Sequence, residues 1–176
     1  MVGEVREVRE VGEVEGDLSK FSNRSSRSNN QGAHLKTQTL GIIKPDAVAA
    51  GKAGKVLAHL EGAGFVVRAA RMTRLSKAQA EAFYEVHKAR PFYASLCSFM
   101  TSGPCIPMAL ERDDAVAHLR TVIGATDPKD AAAGTVRKLY AESKERNAIH
   151  ASDSPENATR EIAFFFVESE LKGTWG

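Results

Sequence analysis

Apolar positions fall into short blocks whose spacing changes along the chain. TLGIIK (39–44) is a brief continuous apolar run and predicts a buried strand. AGKVLAHLEGAGF then puts Val56, Leu57 and Leu60 on one helical face, with Gly62 and Gly64 as stop signals. FVVRAARMTRL (65–75) is rich in strand formers. SKAQAEAFYEVHKA (76–89) predicts a helix with Ser76 as its N-cap. After Pro91, residues 92–100 predict another helix ended by Gly103. CIPMAL (105–110) reads as a third strand, where Pro107 hints at an edge or an irregularity. Residues 112–123 predict a helix, 124–154 a long loop with short helical pieces at most, and IAFFFV (162–167) a last buried strand. This order predicts an α/β sandwich (α+β) of the ferredoxin-like kind, with a split βαβ unit around a four-stranded antiparallel sheet.

Composition changes the picture mainly at the N-terminus. Residues 1–36 combine a charged valine repeat with a Ser/Asn/Arg tract and carry few large apolar side chains. Such a stretch buries too little surface to offset ordering entropy, so it is expected to be a disordered extension, with residues 37–176 as the folded domain. Its early glutamates argue against a transit peptide, and no apolar run approaches a membrane span or a secretory signal. The expected location is cytoplasmic. The net charge of +2 disfavours bulk affinity for nucleic acid or membrane, so anionic ligands would need a local cluster of Lys and Arg. Cys97 and Cys105 lack zinc spacing and read as ordinary reduced thiols.

Phosphate-loop patterns fail. AAGKAGKV lacks the leading glycine and the Ser/Thr that a P-loop requires, and GAGFVV misses the last glycine of a dinucleotide fingerprint. The chemistry concentrates instead in NAIHASDSPENATREIAFFF (147–166). Ser154-Pro155-Glu156 is a helix start, which places His150 on the loop before a short helix and Glu161 at the far end of that helix. A neutral imidazole is a good phosphoryl acceptor when one nitrogen attacks and the other keeps its N–H against an acceptor. Glu161 would fix that tautomer if the helix folds back. Taken singly, each such residue has a plainer role: His150 as a packed histidine, Phe92 as core, Arg120 and Arg137 as solvated charges.

Several blocks change those odds together. IIKPDAV, RPFYASLCSFMTSGP, LRTVIGATDP, AGTVRKLYA and NAIHASDSPENATREIAFFF stand in the order found in nucleoside diphosphate kinases, and the chain resembles that family over about residues 37–171. The resemblance implies phosphoryl exchange between nucleoside tri- and diphosphates, ATP among them, by a ping-pong route through a phosphohistidine. It implies His150 as the phosphorylated residue, Glu161 as the acid that orients it, Tyr84 as support for that acid and Ser152 beside the histidine. Lys44 would reach phosphate and ribose, Phe92 would stack on the base, Arg120, Thr126 and Arg137 would grip phosphates, and Asn147 would contact the sugar. It implies Mg²⁺ carried in on the nucleotide phosphates, no dedicated protein metal site, and a homo-oligomer, tetramer or hexamer.

These roles fit the physics of phosphoryl transfer, in which positioned cations face charge on peripheral oxygens. A single aromatic stack tolerates any base. Two positions depart from the family: Ala151 follows the histidine where glycine is usual, and Leu139 stands where an acid is frequent. The competing expectation is a ferredoxin-like module that binds single-stranded nucleic acid. It would need aromatics displayed on a strand, and AFFFV lacks the basic and glycine flanks of that pattern.

Overall fold

The computed structural model describes residues 36–172. The expected disordered extension, His34 included, lies outside these residues except for Lys36, which opens the first strand. The elements are β1 (Lys36–Ile43), α1 (Pro45–Ala49), α2 (Ala53–Gly62), β2 (Val66–Ala70), α3 (Lys77–Phe83), α4 (Tyr93–Met100), β3 (Ile106–Asp113), α5 (Ala115–Ile123), α6 (Val136–Tyr140), β4 (Ile149–Ala151), α7 (Pro155–Phe165) and α8 (Glu168–Leu171). The four strands form one sheet in the order β2-β3-β1-β4, and every neighbouring pair is antiparallel. This is the expected ferredoxin-like α/β sandwich.

Both faces of the sheet are covered, which explains why β1 does not alternate. Leu40 and Ile42 pack on one side with Phe83, Met100, Ile162 and Phe165. Ile43 packs on the other with Val56, Leu60, Leu119 and Ile123. The period of two along the strand divides these sets. Cys97 and Cys105 are both free and buried in the first cluster.

Four expectations change. IAFFFV is not a strand: its first four residues, Ile162–Phe165, complete α7. Ser154 caps that helix, its Oγ accepting from the Asn157 N–H at 3.1 Å, and Pro155 holds the first position. Ala158, Glu161, Ile162 and Phe165 then form the buried face, at spacings of three, four and seven. An apolar run at the end of a capped helix is the helix's own buried stripe, and run length alone cannot tell the two apart. The aromatic strand that a nucleic-acid module would display is therefore missing at this segment. The fourth strand is β4, inside the region expected to be loop, and it carries His150.

Pro107 lies in a central strand, not at an edge, since β3 runs between β2 and β1. It is the irregularity instead: its carbonyl accepts from the Arg71 N–H just beyond the end of β2, its missing N–H falls on the same side, and the ladder lacks one bond there before Thr73 pairs with Cys105. Finally, residues 112–113 extend β3 instead of opening a helix; Asp114, at φ 52°, makes the turn into α5.

Candidate active site

β4 is only three residues long, and its pairing with β1 sets the geometry of the site. Ile42 stands opposite His150, with Ile43 opposite Ile149 and Gly41 opposite Ala151. Alternation sends Ile149 and Ala151 into one core and turns His150 to the opposite face, beneath α7. Ser152, two residues on, continues the pairing: its N–H donates to the Leu40 carbonyl, and its Oγ accepts from the Leu40 N–H at 3.3 Å. His150 is thus on a strand, where its direction is fixed, and not on a loop. The methyl of Ala151 enters the core beside Gly41, so the departure from glycine there is accommodated in ordinary extended backbone. Leu139 projects from α6, half-exposed, and does not line the cleft described below.

Glu161 arrives from the buried face of α7. Its Oε2 lies 3.0 Å from His150 Nε2 and accepts the Ser152 hydroxyl at 2.7 Å. Burial pushes this carboxyl up, but the bonds from His150 and Ser152, with the charge of Arg160, outweigh it and leave the group below the usual carboxylate range. An ionised Glu161 requires the proton on Nε2. Nδ1 is then the nitrogen with a free lone pair, and no protein group among the described residues bonds to it. Phe83 and Tyr84 set their rings edge-on to the imidazole, at centroid distances of 5.5 and 6.0 Å.

Tyr84 is placed differently from its expected role. Its hydroxyl is buried and makes no hydrogen bond among the described residues, to Glu161 or to any other group. Burial drives its pKa far up. Its contact with the site is therefore ring packing.

A second group of side chains converges from the other side. Lys44 follows β1, is 6% exposed, and donates from Nζ to Asn147 Oδ1 at 2.7 Å. Burial and then the charge of Arg137 lower its pKa to about 8, against the pull of Asp46. Arg137 stands on α6, where its two Nη atoms donate to the Gly124 and Ile149 carbonyls at 2.9 Å each. Burial and then Arg120 lower its pKa to about 10. These cations destabilise one another's charged forms, which leaves a place where an anion is favoured.

All the predicted site residues except Ser152 line one cleft of about 560 Å³. Ser152 lies behind it, holding Glu161. Phe92 is half-exposed at the rim, and Arg120 and Thr126 are also exposed. Leu96, Phe99, Lys144 and Asp153 line the cleft too and were not foreseen. Leu96 and Phe99 could have been: they recur four and seven residues after Phe92, on the same face of α4. Among the described residues no group of three or more His, Cys, Asp or Glu stands ready to hold a metal. The wall that would meet phosphate is cationic, a donor set that fits Mg²⁺ brought by the phosphates better than a resident ion.

A profile of the family described as nucleoside diphosphate kinase matches residues 37–171. A nucleoside diphosphate kinase of Desulfatibacillum aliphaticivorans is 54% identical over 136 residues, covering 77% of this chain and 99% of the relative. One from Chlorobaculum parvum is 58% identical over 134 residues, covering 76% and 96%. Among solved structures, the Aquifex aeolicus nucleoside diphosphate kinase superposes with a TM-score of 0.76 at 43% identity, covering 77% of this chain and 98% of that one. A halophilic one from Halobacterium salinarum, in complex with CDP, gives 0.73 at 37% identity, covering 77% and 90%.

Proposed function

The chain belongs to the nucleoside diphosphate kinase family of enzymes, and from that premise we propose that it works by a ping-pong exchange in which His150 carries the phosphoryl group. The Nδ1 lone pair attacks the γ-phosphorus of a nucleoside triphosphate. The P–N bond forms as the bond to the β–γ bridging oxygen breaks, and the diphosphate leaves with that electron pair. A second diphosphate reverses the step with its terminal oxygen. No proton has to move: Nε2 keeps its hydrogen throughout, and Glu161 balances the positive charge that develops on the ring.

The observation that carries this reading is the bond between His150 Nε2 and Glu161 at 3.0 Å, beside a cleft lined by Lys44, Arg120 and Arg137. It selects one tautomer and leaves the other nitrogen for chemistry. The same cations would neutralise charge on the transferring group and on the leaving phosphate. Mg²⁺, when bound to the nucleotide, supplies further charge neutralisation at the phosphates. Asn147, already bonded to Lys44, would meet the ribose, and Phe92 would stack on the base without reading its edges. Broad tolerance among nucleosides follows.

Residues 37–176 form the catalytic domain in this reading, and a homo-oligomer, tetramer or hexamer, in the cytoplasm is part of it. Light scattering and cell fractionation test those two points. The mechanism is tested by incubation with γ-labelled ATP. Wild-type protein takes up acid-labile, base-stable label, and His150→Ala takes up none. Full labelling of His150→Ala removes the phosphohistidine from the mechanism.

A further inference from the structure

Two residues before His150 the backbone is strained. Ala148 has φ 67°, and the Ile149 N–H donates to the Asn147 carbonyl at 2.8 Å. This is a three-residue turn closed around a positive φ, a conformation that a residue with a Cβ adopts only when its surroundings impose it. The turn separates Asn147 from His150, so its shape decides whether both point into the same cleft. β4, with three residues, is too short to hold it by pairing alone.

Both backbone groups of Ala148 are tied to one segment. The Lys44 N–H donates to its carbonyl at 2.9 Å, and its own N–H donates to Asp46 Oδ2 at 3.0 Å. Asp46 is 5% exposed, and Pro45 sets the backbone direction at the start of α1. Its other oxygen, Oδ1, is buried with no hydrogen-bond partner among the described residues. One oxygen of this carboxylate is thus committed to the turn.

We propose that Asp46 is a positioning residue, which holds the Ala148 turn in its strained form and so aims His150 and Asn147 into the cleft. The inference rests on the reading of His150 as phosphoryl carrier. With the acceptor gone, the buried Ala148 N–H would lose its only partner among the described residues, and the turn could relax toward negative φ. Such a relaxation re-aims the imidazole relative to the phosphate. Asn in place of Asp46 keeps an acceptor for the Ala148 N–H, and its amide nitrogen can occupy the site of Oδ1 without breaking any bond.

The test measures single-turnover labelling of His150 together with amide exchange at Ala148, in folded protein verified by circular dichroism. A misplacement of the imidazole by about 1 Å lowers labelling in Asp46→Ala on the order of a hundredfold. Asp46→Asn stays within about threefold of wild type, because the hydrogen bond survives. Ala148→Gly added to Asp46→Ala restores about tenfold, since glycine holds a positive φ without strain. Should Asp46→Ala fail to fold, Asp46→Ser keeps the site polar but falls short of the Ala148 N–H, and it loses labelling equally. The proposal is overturned if folded Asp46→Ala or Asp46→Ser labels at the wild-type rate, or if Ala148→Gly restores nothing. Exchange at Ala148 separates this from the reading it rests on. Wild-type protein that fails to label His150, yet loses Ala148 protection on Asp46→Ala, refutes the phosphohistidine and leaves the anchored turn standing.

Discussion

The inner and outer halves of the cleft are built on opposite terms. Inside, Glu161 on the buried face of α7 bonds both His150 on β4 and, behind the cleft, Ser152, so their directions are fixed. At the mouth, Phe92, Arg120 and Thr126 are exposed. The inner group is already hydrogen-bonded; at the mouth the Phe92 ring packs against His87, and among the described residues the Arg120 and Thr126 side chains make no hydrogen bond. A nucleotide entering this cleft would order the mouth while meeting an interior that needs no reorganisation, which is the condition under which preorganised groups lower a barrier most. Substitutions inside should therefore act on kcat and substitutions at the mouth on KM.

The largest effect should come from Glu161→Gln. The amide keeps the shape of the side chain but removes the charge that would stabilise a cationic phosphoimidazole in the proposed mechanism, and it no longer dictates which ring nitrogen is protonated. Loss of a group that fixes the tautomer of a catalytic histidine lowers kcat on the order of a hundredfold or more. KM should barely move, because the side chains at the mouth are untouched. Steady-state kinetics with ATP and several acceptor diphosphates checks both halves of this expectation, and a KM effect equal to the kcat effect would erase the distinction between the two regions.

Phe92→Ala tests the other side. Stacking of one base on one ring contributes about 1–3 kcal/mol, so KM should rise about tenfold while kcat changes little. The rise should be similar for purine and pyrimidine acceptors, within the difference in their stacking strength. A rise confined to one base would mean that the mouth reads base edges and would sharpen the comparison in a new direction.

How much of this was legible in the sequence follows the same division. β1, α2, the Ser76 cap of α3 and the Ser154-Pro155 start of α7 were readable because each is a local pattern: a short apolar run, a helical stripe, a capping residue at its proper offset. Ser76 caps as expected, its Oγ accepting from the Gln79 N–H, and the structure adds the return bond from the Ser76 N–H to Gln79 Oε1. β4 was not readable, because three residues cannot display a period of two. The end of α7 was misread because four apolar residues there carry the packing of a helix and the composition of a strand. The convergence of side chains was legible only through the resemblance of whole blocks. The contacts that create it join Lys44 to Asn147 and Asp46 to Ala148 across more than 100 residues of chain, and no local pattern encodes that. The packed hydroxyl of Tyr84 was likewise hidden, since a tyrosine that bonds and one that only packs look alike in a sequence.

The smallest effect lies on the border between the two regions, at Lys44. Its pKa is about 8, lowered by burial and by Arg137 against the pull of Asp46. An ordinary lysine stays charged about two pH units further. As pH rises through that value the free enzyme loses a cation that would meet phosphate, so kcat/KM should fall, to roughly half its plateau at pH 8. The sign is that of a base with a depressed pKa: the charged form dominates below the midpoint and is lost above it. Bound nucleotide reverses the pressure. Phosphate oxygens favour the protonated amine, so kcat, which reports the occupied cleft, should hold to higher pH than kcat/KM. Lys44→Arg, with a group that stays charged, should remove the alkaline fall in kcat/KM even if its plateau is lower. If the fall persists unchanged in Lys44→Arg, the titrating group is elsewhere, and the boundary between the prebuilt interior and the waiting mouth does not pass through this side chain.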